Sequence, residues 1–163
     1  MKQLTIAALC ALSLNFAFAA GEHDHGDHGA AKQYAFGSPG QDSAVSRTVK
    51  VSAGDDMKFS YTPPLKTIKQ GETIRFVITN TGKLAHEFSV GDAASQRAHA
   101  LMMKKMPDMK HADDPSAVSL APGETRQLVW RFDKAMSGDV IFACQVPGHY
   151  DAGMKTNVPL ATK

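Results

Sequence analysis

Apolar and polar positions alternate with a period of two along most of this chain, the pattern of half-buried β-strands. Residues 47–51 (Arg47-Thr48-Val49-Lys50-Val51) alternate, and 57–61 continue in the same style up to the Pro63-Pro64 break. Thr73–Asn80 is the clearest strand: Ile74, Phe76 and Ile78 share one face, with Arg75, Val77 and Thr79 opposite. Further strands are predicted at 85–90, where His86 and Phe88 alternate, and at 117–120. In 125–132, Leu128, Trp130 and Phe132 lie on one side; in 140–144, Val140, Phe142 and Cys144 do; 156–160 closes the series. Asn80-Thr81-Gly82 and Pro122-Gly123 supply turns. Residues 92–106 break the pattern. Ala, Gln, Arg, Leu, Met and Lys dominate there, Asp92 can cap and Pro107 stops the run, which predicts one helix in a long insertion. Seven to eight short strands with one helical, Met-rich insertion predict an all-β Greek-key β-sandwich. A βαβ fold would need helices between successive strands.

The start of the chain reads as an address. Lys2 is the only charge before Glu22, residues 4–18 are almost continuously apolar, and Ala17-Phe18-Ala19 matches a small-x-small cleavage site. The apolar stretch falls short of the ~20 residues a spanning helix needs. Residues 1–19 are therefore expected to be a cleaved signal peptide, 20–44 a flexible His-rich tail and 45–163 the folded domain, in a periplasmic protein with no stable membrane association. With 18 Lys+Arg against 16 Asp+Glu, the charge is too balanced for a nucleic-acid reader. Cleavage removes Cys10 and leaves Cys144 as the single thiol, either buried and inert or held by something.

That thiol opens the run Cys144-Gln145-Val146-Pro147-Gly148-His149-Tyr150-Asp151-Ala152-Gly153-Met154. A thiolate, an imidazole and a thioether thus follow one another at five-residue intervals, and His86 offers a second imidazole beside the Thr73–Asn80 strand. Taken singly, each has a plain structural reading: a buried core thiol, a core histidine, a packing methionine. Together they form the set of a redox-active copper, two imidazoles and a thiolate with a weak axial Met. Pro147 limits the freedom of the loop, and Gly148 permits the tight turn that brings His149 back. A structural zinc site would be closed by Cys and His without a thioether.

The stretch from Gly71-Glu72-Thr73 through Asn80-Thr81-Gly82 to His86-Glu87-Phe88, followed by Cys144 to Met154, resembles the cupredoxins, or type 1 copper proteins. The likeness covers approximately residues 45–163. The Cys-x4-His-x4-Met spacing is similar to that of rusticyanin, and the Met-containing insert with the His-rich tail resembles periplasmic cupredoxins of bacterial copper tolerance. The resemblance implies one type 1 copper on His86, Cys144, His149 and Met154. Glu87 stands where many family members have an Asn that bridges the two ligand loops.

Two further clusters suit copper. His23, His25 and His28 sit among carboxylates in the tail, a set for Cu(II) capture; the plain alternative is a solvated acidic tail. Met102, Met103, Met106 and Met109, with His99 and His111 flanking, offer thioethers for Cu(I); the alternative is a Met-lined packing surface. These clusters favour copper tolerance with one-electron Cu(I)/Cu(II) chemistry. The alternative is a dedicated electron carrier that docks a transient redox partner protein through an apolar patch at Pro147, Gly148 and Tyr150. No dedicated enzymatic activity is expected: a nitrite reductase or multicopper oxidase needs a second copper site bridged to the first and the sequence has no second His-Cys-His arrangement, and Cys144 has no neighbouring acid to complete a hydrolase.

Overall fold

A computed structural model describes residues 34–107 and 114–162. They form two five-stranded sheets around one hydrophobic core, with a single α-helix. The strands are β1 (Ser38–Pro39), β2 (Arg47–Gly54), β3 (Lys58–Thr62), β4 (Ile68–Lys69), β5 (Thr73–Asn80), β6 (His86–Gly91), β7 (Ala117–Leu120), β8 (Thr125–Arg131), β9 (Asp139–Ala143) and β10 (Lys155–Ala161). One sheet runs in the order β1-β8-β5-β2-β3 and the other β4-β10-β9-β6-β7. Most neighbours are antiparallel, but β2 with β5 and β10 with β4 are parallel, so the chain crosses between sheets, as a Greek-key sandwich requires. The eight strands expected from alternation are all present. The added β1 and β4 are two residues each, too short to show a period.

Alternation builds the core directly. Ile74, Phe76 and Ile78 of β5 are fully buried, as are Trp130 of β8 and Phe132 just beyond its end. Phe76 of one sheet meets Phe88 and Phe142 of the other at ring-centroid distances of 5.4 and 5.1 Å, and Phe88 stacks on Phe142 at 5.3 Å. Each such ring contributes about 1.5–3 kcal/mol through burial.

The folded domain begins earlier than residue 45. Phe36 is buried and stacks on Trp130 at 5.3 Å, Tyr34 meets the same indole edge-on at 5.0 Å, and Trp130 Nε1 donates to the Phe36 carbonyl. Residues 34–44 are therefore part of the domain, not of the tail. Two aromatic rings on the indole hold a segment that carries too little alternation to read as structure. Residues 1–33 lie outside the described residues.

The helix α1 (Ala93–Lys105) starts with a capping box in which Asp92 accepts from the Ser95 amide and Ser95 accepts from the Asp92 amide. Lys104 and Lys105 complement its C-terminal end. Its inward stripe is mixed: Gln96 and Met103 are buried, while Leu101 is exposed. No helix among the described residues is long and apolar enough to cross a membrane.

Candidate metal centre

His86 opens β6 and Cys144 follows β9, and these two strands are antiparallel neighbours. Both side chains are buried. The chain then turns through 145–153 and returns into β10, closed by its own backbone. The Cys144 amide donates to the Met154 carbonyl, the Met154 amide to the His149 carbonyl, and the His149 amide to the Val146 carbonyl, each at 3.0 Å. Gly148 has φ +90°, a left-handed conformation that glycine adopts without strain, as the sequence requires of it. Cys144 and Met154 are thereby held side by side at the base of the loop, and Met154 is fully buried in the core.

One ligand atom from each of His86, Cys144 and His149 lies within 4.8 Å of the others. The two imidazole centroids are 5.0 Å apart, and Cys144 Sγ is 3.4 Å from His149 Nδ1. The Glu87 amide donates to Sγ at 3.3 Å. His86 Nε2 meets Asp55 Oδ1 at 3.1 Å, whereas its Nδ1 is buried without a hydrogen-bond partner. Burial pushes the Cys144 thiol up to about 12, against the opposing pull of the Glu87 and Val146 amides. Burial, with the nearby His86, lowers the His149 pKa, so that ring stays neutral and keeps a lone pair.

These residues fit a copper ion. An orphaned buried nitrogen costs about 1–3 kcal/mol unless something from outside the protein satisfies it. The ring that carries it shares a small space with a thiol and the neutral imidazole of His149. One sulfur with two nitrogens, beside a buried thioether-bearing residue, matches the donor preference of copper.

The structure does not gather the Met segment into one site. Met103 faces inward and is buried, Met102 is half-buried and Met106 is exposed one turn beyond it. Met109 and His111, like His23, His25 and His28, lie outside the described residues. Sequence reading missed what surrounds the ligands. Asp55 belongs to the β2–β3 turn and holds His86 across the fold. The Glu87 carboxylate is buried beneath α1, 3.3 Å from His99 Nε2. Gln96 of α1 donates to the Ile141 carbonyl at 3.0 Å and accepts from Gln145 Nε2 at 2.9 Å. No local pattern announces these contacts, because each partner is distant in sequence.

A two-sheet β-sandwich with a buried thiol and two imidazoles at one point defines a cupredoxin domain. The chain belongs to the plastocyanin/azurin family of copper binding proteins, whose sequence profile matches residues 47–161. It is similar to the copper-resistant cuproprotein CopI of Rubrivivax gelatinosus, at 45% identity over 156 residues, 93% of this chain and 90% of that one. The CopI proteins of Vibrio cholerae serotype O1 and Pseudomonas aeruginosa are 40% and 38% identical, over 76% and 74% of this chain and 71% and 79% of theirs. Among solved structures, the fold is similar to dithionite-reduced auracyanin of Roseiflexus castenholzii, with a TM-score of 0.58 at 21% identity, covering 72% of this chain and 98% of that one. Auracyanin A of Chloroflexus aurantiacus gives 0.53 at 20% identity, covering 71% and 98%.

Proposed function

We propose that this protein is a periplasmic type 1 copper protein serving copper tolerance, in which His86, Cys144 and His149 would hold the ion and Met154 would add a weak thioether donor. The observation that carries the reading is the convergence of one donor atom each from His86, Cys144 and His149 within 4.8 Å of one another, with His86 Nδ1 buried and without a hydrogen-bond partner. Copper held there supplies one-electron exchange between Cu(I) and Cu(II). The chain's own part is rigidity. The backbone bonds that close the 145–153 loop fix the thiol and the second imidazole, and the β6–β9 pairing fixes the first, so one compromise geometry serves both oxidation states.

Tolerance is supported by relatives that carry the description copper-resistant cuproprotein, and by tail and insert sequences whose His and Met offer further copper donors. A periplasmic location is supported by the leader-like first 19 residues. Docking of a transient redox partner is supported by exposed Pro147 and Gly148, which lead directly into the partly exposed His149 and Tyr150, a patch suited to brief contacts. The protein acts as a binder and one-electron exchanger in this reading, with no dedicated turnover.

Metal analysis with visible and electron-spin spectra of the mature protein tests the assignment. The Cu(II) form should show an intense thiolate-to-copper charge-transfer band that Cys144→Ala abolishes. A Cys144→Ala protein that keeps the band defeats it.

A further inference from the structure

Asp55 stands 31 residues before His86 in the chain and touches its ring in space. Three donors converge on its carboxylate: the Lys83 amide at 2.7 Å on Oδ2, the Leu84 amide at 3.2 Å on Oδ1, and His86 Nε2 at 3.1 Å on Oδ1. Each carboxylate oxygen thus accepts from a backbone amide, an arrangement that suits the ionised group. The β5–β6 turn is moulded around this group. At Gly82 an ideal Cβ would stand 1.9 Å from Asp55 Oδ1, so only glycine lets the two loops meet this closely. Asn80 braces the same turn from inside, accepting from the Gly82 amide and donating to the Leu84 and Leu120 carbonyls.

An ionised carboxylate only accepts, so the His86 proton must sit on Nε2. Nδ1 is then the bare nitrogen, buried and without a hydrogen-bond partner, on a ring that offers a donor atom to the cluster with Cys144 and His149. We propose that Asp55 is a positioning residue of the copper centre, fixing the tautomer and ring plane of His86 and favouring Cu(II) over Cu(I) through its negative charge. This rests on His86 being a copper ligand. An anion accepting from the far nitrogen strengthens the near one as a donor. It also stabilises a doubly charged ion more than a singly charged one. The Asp55 side chain is 36% exposed, so solvent screens it, which puts the effect at the low end of the roughly 10- to 100-fold range for such partners.

Asp55→Asn removes the charge at nearly the same size: its one side-chain oxygen can stand in for Oδ1, accepting from the Leu84 amide and His86 Nε2, while the Lys83 amide loses its acceptor. The copper-loaded variant should keep the visible band, while its Cu(II) affinity relative to Cu(I) falls about tenfold, equivalent to a rise in potential of about 59 mV for a one-electron couple. An unchanged potential in the folded, copper-loaded variant would reduce Asp55 to a loop brace and overturn the proposal. Independently of any variant, long-range proton–nitrogen NMR of the metal-free wild type should find His86 protonated at Nε2. A proton on Nδ1 overturns the proposal as well. If wild-type protein loaded with Cu(II) shows no thiolate band, the ligand assignment itself fails and takes the proposal with it, a result distinct from the other two.

Discussion

At the scale of single residues, the buried Cys144 thiol sets the chemistry of metal uptake. Because burial raises its pKa to about 12, the metal-free protein keeps the proton far above the ordinary thiol range. Copper binds the thiolate, so loading the site must expel that proton. His149 is already neutral, its pKa lowered by burial and by His86, and therefore releases none. Calorimetric titration of Cu(II) into metal-free protein at about pH 8, in buffers of different ionisation enthalpy, should show about one proton released per copper as the visible band develops. Release of none would mean that the thiol is not a ligand. The sulfur, ring and thioether of Cys144, His149 and Met154 were legible because they share one short loop and their spacing is local. Asp55 was not: a Gly-Asp-Asp turn reads as a plain hairpin, and its value comes from a loop that meets it only after folding.

At the scale of elements, α1 explains why two strands depart from simple alternation. Every residue of β6 is buried, including Glu87 and Ser89, and on β9 Ile141 and Ala143 are buried beside Val140 and Phe142. One face of these strands meets the core and the other meets the helix, which polar residues satisfy. Gln96 bridges Ser89, the Ile141 carbonyl and Gln145, while His99 reaches Glu87. The helix thus touches the residue after His86, Glu87, and the residue after Cys144, Gln145. Gln96→Leu keeps the volume but takes the side-chain donor from the Ile141 carbonyl and one of two acceptors from the Gln145 amide, which keeps the Gln96 carbonyl, and should cost about 2–4 kcal/mol in denaturant unfolding of the metal-free protein. A loss under about 1 kcal/mol would show that water replaces the amide. The strands and the helix were each visible in the sequence. Their contact was hidden, since a helix whose inward stripe is Gln, His and Met carries almost no apolar periodicity.

At the scale of the whole molecule, the sandwich was legible because β5 and β8 repeat the core face without interruption, whereas the lower edge of the domain was not. Tyr34 and Phe36 stand in a polar stretch and gain their meaning from Trp130, some ninety residues later. Tyr34 also donates to Asp114 at 3.1 Å, tying the first described residue to the stretch that follows the Met-rich segment. This placement decides how the tail can be tested. A deletion of residues 21–31 removes His23, His25 and His28 but stops short of Tyr34, so the aromatic seal on Trp130 and the loop that carries Cys144, His149 and Met154 stay intact. If the tail captures copper separately, the deletion should lower the molar copper content of the loaded protein toward one while leaving the position and intensity of the visible band unchanged. The imidazoles of the tail are hard enough to hold Cu(II) without a thiolate, so their loss removes metal that never coloured the protein. Copper content that stays the same would assign the tail no capture role. A bleached band would mean that tail and domain share a single ion.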